Sequence, residues 1–561
     1  MVTRVINLMY REVRGLHQAA YILAFFAIGS QMLALIRDRL LAHTFGAGVE
    51  LDLYYAAFRM PDLMFVLFGS VLSVYVLLPF VSQADARTEA APEHGGRDVL
   101  SQMFTVFLAV YTLAALALFI LAPSIVPQLF PGFSEHADTI TLLTRIMLLQ
   151  PFFLGLSSLC GVVTQINHRF ILYAVSPLIY NLGIILGVIL FYPLIGLPGL
   201  ALGVVVGAFG HLLVQWPLVR GSALRFSIVP AIQWRVVRPV LLVALPRALT
   251  LSIHQISLLI LASLASLMAA GSVAVFQFAF NLQSVPLAIV GMSYSVAAFP
   301  VLAQLASQNE MQRFVSHLTI AVRHIIFWSL PIIALIIVLR AQIVRVLLGT
   351  GSFDWSDTRL TAAVLAVLSV GLLAQALQLL LVRAFYAAGR TLVPFVLAAF
   401  GLLVTVASAV GASAFYQANP QFAAEVAALL RLSGVPGTEV LALGVGYTAG
   451  ALVMASLLLG LAVRTFGLPL ASLGRQCFEA TFAALAAGVS AYATLAFIVD
   501  GVNQDTFLGI LLQGLAGGVM GVIAAILVYR LLGSRELDEI YRSFHAKIFK
   551  TDIIAPQPDN L

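Results

Sequence analysis

The chain has 561 residues, of which 61% are hydrophobic and 10% are charged, whereas soluble domains carry about 25% charged residues. This composition excludes a soluble globular protein and indicates a polytopic membrane protein. The net charge of +6 does not indicate nucleic-acid binding, because the basic residues are scattered over short loops, as the positive-inside rule expects.

The N-terminal segment is basic, with Arg4, Arg11 and Arg14, and the apolar run that follows is too long for a cleavable signal sequence. Fourteen apolar runs of about 20 residues predict fourteen transmembrane helices. The runs are 18–44, 53–83, 100–123, 139–166, 170–193, 197–219, 239–268, 272–304, 314–339, 359–386, 391–415, 439–463, 475–498 and 507–532. Most Arg and Lys residues lie in loops on the side of the N-terminus, so both termini are predicted to be cytoplasmic.

A charged stretch, residues 37–62, overlaps the end of the first run and the start of the second. Its ionised side chains include Arg37, Asp38, Arg39, Asp52, Arg59 and Asp62. An arginine near the middle of a membrane costs about 2.5 to 3.5 kcal/mol on insertion scales, so it normally faces a protein interior or a wet cavity. The stretch is therefore either a turn at the membrane surface or part of a polar cavity.

An internal repeat follows from matches in order at offsets of 218 to 222 residues. The matching pairs are Ala57-Phe58 with Ala279-Phe280, Gly69 with Gly291, Pro79 with Pro300, Ile125-Val126 with Ile343-Val344, and Arg169 with Arg390. Six spans per repeat give both halves the same orientation. The sequence thus predicts an all-α protein with two parallel six-helix lobes around a central cavity and two extra C-terminal helices.

The predicted divisions are 1–220 for the N-terminal lobe, 221–238 for a cytoplasmic linker, 239–463 for the C-terminal lobe, 464–533 for the two additional helices and 534–561 for a basic cytoplasmic tail. The linker mixes apolar side chains with Arg225, Arg235 and Arg238. That pattern fits an amphipathic helix on the membrane surface or an ordinary linker with anchoring side chains.

No enzyme motif is present. The chain lacks the Gly-rich Lys-Ser/Thr loop that holds nucleotide phosphates, and its His and Cys residues lack the spacing of a metal site. Neither catalysis nor a metal or other cofactor is therefore expected.

Arginines inside or bordering the spans are the informative class: Arg37, Arg59, Arg145, Arg247, Arg323 and Arg383. Guanidinium groups around a cavity suit a phosphate or carboxylate substrate. For each of the last four, the alternative to substrate binding is a role as a membrane-interface anchor or as half of an internal ion pair. Arg37 has Asp38 or Asp52 as a potential partner.

Several motifs together carry a family resemblance. They are Arg37-Asp38, Phe45-Gly46-Ala47-Gly48, Asp52, Ala57 to Pro61, Thr144 to Leu148, Arg169-Phe170, Ser176-Pro177, Tyr180-Asn181, and Ala270 to Val273 with Pro286. The chain resembles the MviN/MurJ-type lipid II flippases of the multidrug/oligosaccharidyl-lipid/polysaccharide exporter superfamily over essentially its whole length.

The resemblance implies a carrier of lipid II, the undecaprenyl-pyrophosphate-linked peptidoglycan precursor, in the bacterial cytoplasmic (inner) membrane. It implies an arginine-lined cavity for the head group and a groove at the two extra helices for the lipid tail. Arg37, Asp38, Asp52 and Arg59 match the family pattern. Four family cationic positions are instead Gln31, Phe65, Val66 and Asn281. Either Arg145, Arg247 or another arginine substitutes for them in space, or the head group differs.

The resulting hypothesis is alternating access without a cofactor, driven by the membrane potential or a monovalent ion. Arg37 and Arg59 would bind pyrophosphate, Asp38 and Asp52 would hold these arginines and gate the site, and Asn281 would line it. Membrane lipids and the peptidoglycan synthesis machinery are the expected partners.

Two alternatives stay open: an exporter of another polyprenyl-linked glycan or amphipathic solute, and a non-transporting scaffold for envelope assembly. A membrane glycosyltransferase would need acidic residues in a large outer loop, and the longest predicted outer loop, 415–439, contains little besides Glu425 and Arg431.

Overall fold

The computed structural model describes residues 16–87, 92–498 and 506–548. Within these ranges the regular structure is helical and contains no β-strand, which confirms the predicted all-α class. The predictions that concern Arg4, Arg11 and Arg14, and the end of the basic tail from residue 549, lie outside the described residues.

The α-helices fall into two runs along the chain. The first run is α1 Leu16–Phe45, α2 Val49–Met64, α3 Val74–Arg87, α4 Pro92–Leu129, α5 Ala137–Met147, α6 Leu149–Ile166, α7 Phe170–Leu186, α8 Tyr192–Ile195 and α9 Leu197–Gly221. The second is α10 Trp234–Ser266, α11 Ser272–Leu287, α12 Ser293–Ser307, α13 Met311–Leu348, α14 Trp355–Val370, α15 Leu372–Ala387, α16 Leu392–Ala418, α17 Pro420–Leu429, α18 Leu441–Phe466, α19 Leu470–Ile498, α20 Phe507–Leu531 and α21 Arg535–Ile548.

Twelve helical segments of the described chain are long and apolar enough to cross a membrane, and the bent pair α14 and α15 raises the number to 13. Helices α14 and α15 meet at an angle of 46°, where the sequence predicts a single span, 359–386. The 30-residue helix α1 stands outside this count, so the predicted total of fourteen is not confirmed. The chain is a multi-pass membrane protein.

The succession of helices repeats along the chain. Helices α4 and α13 each have 38 residues. A π-helical turn follows α2 at Phe65–Gly69, and another follows α11 at Ala288–Met292. Such turns interrupt the regular hydrogen-bond ladder and are frequent at functional sites. The interruption therefore recurs at the same place in both repeats.

Two compact units are distinguished by their internal contacts. One comprises Met1–Phe278, Leu347–Val364 and Thr391–Gly450, and the other comprises Ala279–Val346, Leu365–Arg390 and Ala451–Leu561. These contact-based units do not test the predicted lobe boundaries, which stay a prediction.

Small residues bring α7 and the π-helical turn that follows it, Gly187–Phe191, close to α9 in the first unit. A Cβ atom added to Gly203 would lie 2.4 Å from the Cα of Gly187, and one added to Gly207 would lie 2.4 Å from the carbonyl oxygen of Tyr180. Side chains at these positions would collide with backbone, which cannot yield cheaply. The Gly199/Gly203/Gly207 stripe is therefore a packing surface of the kind that membrane helices use.

In the second unit, α19 and α20 pack against each other, and the end of α20 is fixed to α13. The hydroxyl of Tyr529 donates to the carbonyl oxygen of Phe327 at 2.6 Å, and the two rings stack at 4.2 Å. A buried tyrosine needs such a partner for its hydroxyl. This contact holds the C-terminal end of α20, from which α21 continues.

Residues 222–233 of the predicted linker contain no helix, and residues 234–238 form the start of α10, so no separate amphipathic helix is present over 221–238. The linker backbone instead bonds to polar side chains on α4. Ser227 N donates to Ser101 Oγ at 3.2 Å, Val229 N to Thr105 Oγ1 at 3.0 Å, and Gln233 N to Gln102 Oε1 at 2.9 Å. Side-chain acceptors one turn apart on α4 thus satisfy backbone groups that a helix would have satisfied internally.

Replacing Gln102 by leucine should loosen this linker. The residue is 1% exposed, and its loss leaves the Gln233 N–H without its acceptor, at about 1 kcal/mol. Local opening should increase about fivefold, measured as faster tryptic cleavage at Arg225. The matched control is Gln233→Leu, which changes an exposed side chain and keeps the N–H; equal cleavage of both variants would contradict the account.

Candidate functional site

Arg37 lies near the C-terminal end of α1 and bonds to two helices. Its Nε and Nη2 donate to Asp38 Oδ1 at 2.9 and 2.7 Å, and its Nη1 donates to Asn181 Oδ1 on α7 at 3.0 Å. Asn181 is oriented in turn by its Nδ2, which donates to the carbonyl oxygen of Pro177 at 3.1 Å. The adjacent Asp38 therefore neutralises the charge of the guanidinium, and the neutral amide of Asn181 fixes its orientation.

Arg59 lies on α2 and is only 5% exposed. Its Nη2 donates to Gln277 Oε1 at 2.6 Å, while its Nε is buried and has no hydrogen-bond partner in the described part of the chain. Burying a cation costs several kcal/mol unless paired charges and hydrogen bonds offset it. A neutral amide offsets little of that cost, so Arg59 is an incompletely satisfied buried donor.

Asp62 follows Arg59 by one helical turn and accepts a hydrogen bond from Gln150 Nε2 on α6 at 3.4 Å. Gln150, Asn181 and Gln277 are the polar neighbours of the charged stretch, and the sequence analysis did not select them as site residues. The available signal was a polar side chain inside an apolar run, such as Gln277, which precedes Asn281 by one turn.

Asp52 does not hold an arginine, and that expectation is wrong. Its Oδ2 accepts the N–H of Gly271 at 2.6 Å, and its Oδ1 accepts the N–H of Ala274 at 2.8 Å. Both donors belong to the start of α11, whose free backbone N–H groups and dipole favour a carboxylate. The 1% exposed Asp52 therefore caps a helix that is remote in sequence.

Neighbouring backbone contacts reinforce this cap. Gly271 has φ +89°, and a Cβ there would lie 2.0 Å from the carbonyl oxygen of Ala47. The Ala47 N–H donates to Asp357 Oδ2 at 3.1 Å, and the Ser352 N–H donates to the carbonyl oxygen of His43 at 2.9 Å. The turn between α1 and α2 is thus held by contacts with residues at or just before the starts of α11 and α14.

The other predicted arginines lie in different surroundings. Arg145 on α5 donates through Nε to the carbonyl oxygen of Phe119 at 2.9 Å, and its guanidinium carbon lies 4.6 Å from the centre of that ring. Arg323 pairs with Glu536. Arg247 follows Pro246 on α10 and is partly buried. Arg145 is thus occupied by α4.

The departures from the family pattern are distributed over three elements. Gln31 lies on α1, Phe65 and Val66 open the π-turn after α2, and Asn281 is partly buried on α11. Within the described residues no group of three or more His, Cys, Asp or Glu side chains could hold a metal ion. The hydrogen bonds define two cation-bearing groups, Arg37 with Asp38 and Asn181 on α1 and α7, and Arg59 with Gln277 on α2 and α11.

The solved structures that share this fold include a flippase and a multidrug transporter. One described as "Lipid II flippase MurJ, inward closed conformation" matches with a TM-score of 0.69 at 21% identity and covers 91% of this chain and 99% of its own. An inward-facing multidrug resistance MATE family transporter of the MOP superfamily matches with a TM-score of 0.62 at 15% identity, covering 78% and 94%. The fold is therefore that of this transporter class.

Sequence comparison identifies the family. The family model described as "Lipid II flippase MurJ" matches residues 41–512, and the chain belongs to that family. A "Probable lipid II flippase MurJ" of Rhizobium tropici is 28% identical over 393 residues, covering 68% of this chain and 72% of the relative. The "Lipid II flippase MurJ" of Burkholderia cenocepacia is 25% identical over 404 residues, covering 70% and 77%.

Proposed function

We propose that this protein moves lipid II from the inner to the outer leaflet of the bacterial cytoplasmic membrane, with both termini in the cytoplasm. The observation that carries the proposal is Arg59, a buried guanidinium with a neutral partner at 2.6 Å and an unpartnered Nε. Asp62 attracts the charge of Arg59 but forms no hydrogen bond with it among those found in the described residues, and a pyrophosphate group supplies the acceptor oxygens that the buried Nε lacks.

Arg37 is the second cation of the proposed site. Asp38 already takes two of its donors and Asn181 a third, so Arg37 is held in a fixed orientation. An anion that binds to Arg37 would have to replace some of these existing hydrogen bonds. Arg59 is therefore the primary anion ligand in this proposal and Arg37 a pre-oriented second one. Arg145 bonds to the carbonyl oxygen of Phe119 on α4 and is therefore not assigned to the anion, while the substrate-binding roles of Arg247 and Asn281 stay predictions.

Asp52 is proposed as the gate. Its carboxylate joins the start of α2 to the start of α11 by accepting hydrogen bonds from two backbone N–H groups. When the contact opens, both N–H groups can donate to water instead. A carrier needs such a contact to be made in one state and broken in the other. The membrane potential or a monovalent ion would supply the energy of the cycle, and contact with the peptidoglycan synthesis machinery belongs to the same proposal.

Head-group binding is the direct test. We expect the purified protein to bind a short-chain polyprenyl pyrophosphate about tenfold more tightly than the corresponding monophosphate, since each charge-assisted hydrogen bond contributes more than 1 kcal/mol. Native mass spectrometry measures both. Arg59→Gln should remove the preference, and Arg313→Gln, at an exposed arginine paired with Glu310, should keep it. Equal binding of the two ligands by the unaltered protein would contradict the proposal.

A further inference from the structure

A second cluster of arginines lies in the second unit, where α13, α19 and α21 meet. Arg323, Arg475, Glu479 and Arg535 line a cavity of about 180 Å³. A buried water needs about 10 to 15 Å³ of such space, so the cavity has room for a group of several heavy atoms. The proposed head-group site uses none of these residues.

The carboxylates beside this cavity already have partners. Glu536, which is 3% exposed, pairs with Arg323 and accepts from Ser534 Oγ at 3.1 Å. With its amide turned so that the NH₂ faces the carboxylate, Gln476 also donates to Glu536, at 2.7 and 3.0 Å. These contacts fasten α21 to α13 and α19 and fix the cavity wall, so the cavity is a built feature.

Donors remain on the arginines of the cavity wall. Arg475 uses Nε for Glu479 at 2.7 Å, and the Nε of Arg323 is buried without a hydrogen-bond partner. Arg535 has no ion pair within residues 16–87, 92–498 and 506–548. The cavity lining holds three guanidinium groups and one carboxylate, which favours an anionic ligand. Arg475 and Arg535 are exposed, so their remaining donors are accessible to such a ligand.

The cavity also lies at the depth of lipid head groups. The apolar span Leu473–Phe497 begins just before Arg475, and the span Phe507–Leu531 ends shortly before Arg535. Next to these arginines, Phe478 and Leu531 expose 56% and 84% of their surface, where acyl chains can cover them. Basic pockets between membrane helices at this depth bind anionic lipid head groups.

We propose that this pocket binds the phosphate group of an anionic phospholipid. Arg475 and Arg535 are its principal ligands, and Arg323 forms part of the cavity wall. The phosphate takes the free donors of the guanidinium groups, while the acyl chains lie along Phe478 and Leu531. The lipid thereby bridges α19 and α21. The inference is independent of lipid II transport.

Binding of phosphatidylglycerol to the detergent-purified, delipidated full-length protein tests this assignment. Native mass spectrometry should show one tightly bound phosphatidylglycerol molecule per unaltered protein. The double variant Arg475→Gln/Arg535→Gln should bind this lipid about tenfold more weakly. Arg313→Gln, on the same helix as Arg323 but exposed and paired with Glu310, is the matched control. Arg323 is left intact because its loss would strand the buried Glu536.

Two further ligands identify the source of the phosphate. Phosphatidylcholine should bind more weakly than phosphatidylglycerol. If inorganic phosphate alone binds as tightly as phosphatidylglycerol, the pocket is an anion site whose ligand is soluble and not a lipid. Unchanged phosphatidylglycerol affinity and stoichiometry in the double variant would overturn the proposal. The double variant should retain binding of the short-chain polyprenyl pyrophosphate, so failure here is separable from failure of the flippase proposal.

Discussion

Replacing Arg59 by glutamine is expected to abolish lipid II transport while changing the stability of the protein little. The change removes a buried charge whose observed hydrogen bond goes to the neutral Gln277. The desolvation cost that is relieved offsets the lost attraction to Asp62, which keeps its hydrogen bond from Gln150. The anion loses its main ligand, which weakens binding by about tenfold or more. Complementation growth and the midpoint of thermal unfolding in detergent measure the two effects.

The pattern of variants separates a binding role from a structural one. Arg59→Lys keeps the charge without the planar fork and should transport weakly, while Arg313→Gln should transport normally. A structural arginine would show the opposite behaviour, a clear drop in the unfolding midpoint with transport preserved. Full transport by Arg59→Gln at normal membrane levels would remove Arg59 from the site.

Replacing Asp52 by alanine is expected to release the start of α11. Two backbone N–H groups, of Gly271 and Ala274, lose their acceptor, and a lost helix cap costs about 1 to 2 kcal/mol. The closed arrangement should therefore open about tenfold more often. A cysteine at Ala47, in a Cys477→Ala background, reports the opening through its rate of reaction with a maleimide on purified protein.

Two variants calibrate this measurement. Asp52→Asn retains one acceptor oxygen and should react at an intermediate rate. Glu50→Ala, at an exposed acid on the same turn of α2, should react like the unaltered protein. A maleimide rate that is the same for Asp52→Ala and for the unaltered protein would mean that the cap does not control the opening.

Hydrophobic runs and local pairs were predictable from the sequence. The membrane helices follow from apolar length alone, because a bilayer requires about 20 such residues. Asp38 is adjacent to Arg37, so their pairing was one of two alternatives visible in the stretch itself. The breaks at the π-turns and the bend between α14 and α15 were not visible, because composition alone does not report backbone geometry.

Long-range partners explain the predictions that were wrong. Asp52 bonds to backbone N–H groups 219 and 222 residues away, and a backbone donor leaves no mark in side-chain identity. The linker after α9 has the apolar and basic spacing of a surface helix, but Gln102 and Thr105 on α4 supply its backbone with better partners. Arg59 was selected for its depth, whereas its neutral neighbour Gln277 became evident only in the folded chain.

The central claim is tested most directly by complementation. The lipid II flippase of a rod-shaped bacterium is depleted, this protein is expressed, and the fraction of lipid II accessible in the outer leaflet is measured together with growth. The account predicts that accessibility and growth return with the unaltered protein and not with Arg59→Gln. Absence of outer-leaflet lipid II despite normal membrane levels of the unaltered protein would contradict the account and favour another polyprenyl-linked substrate.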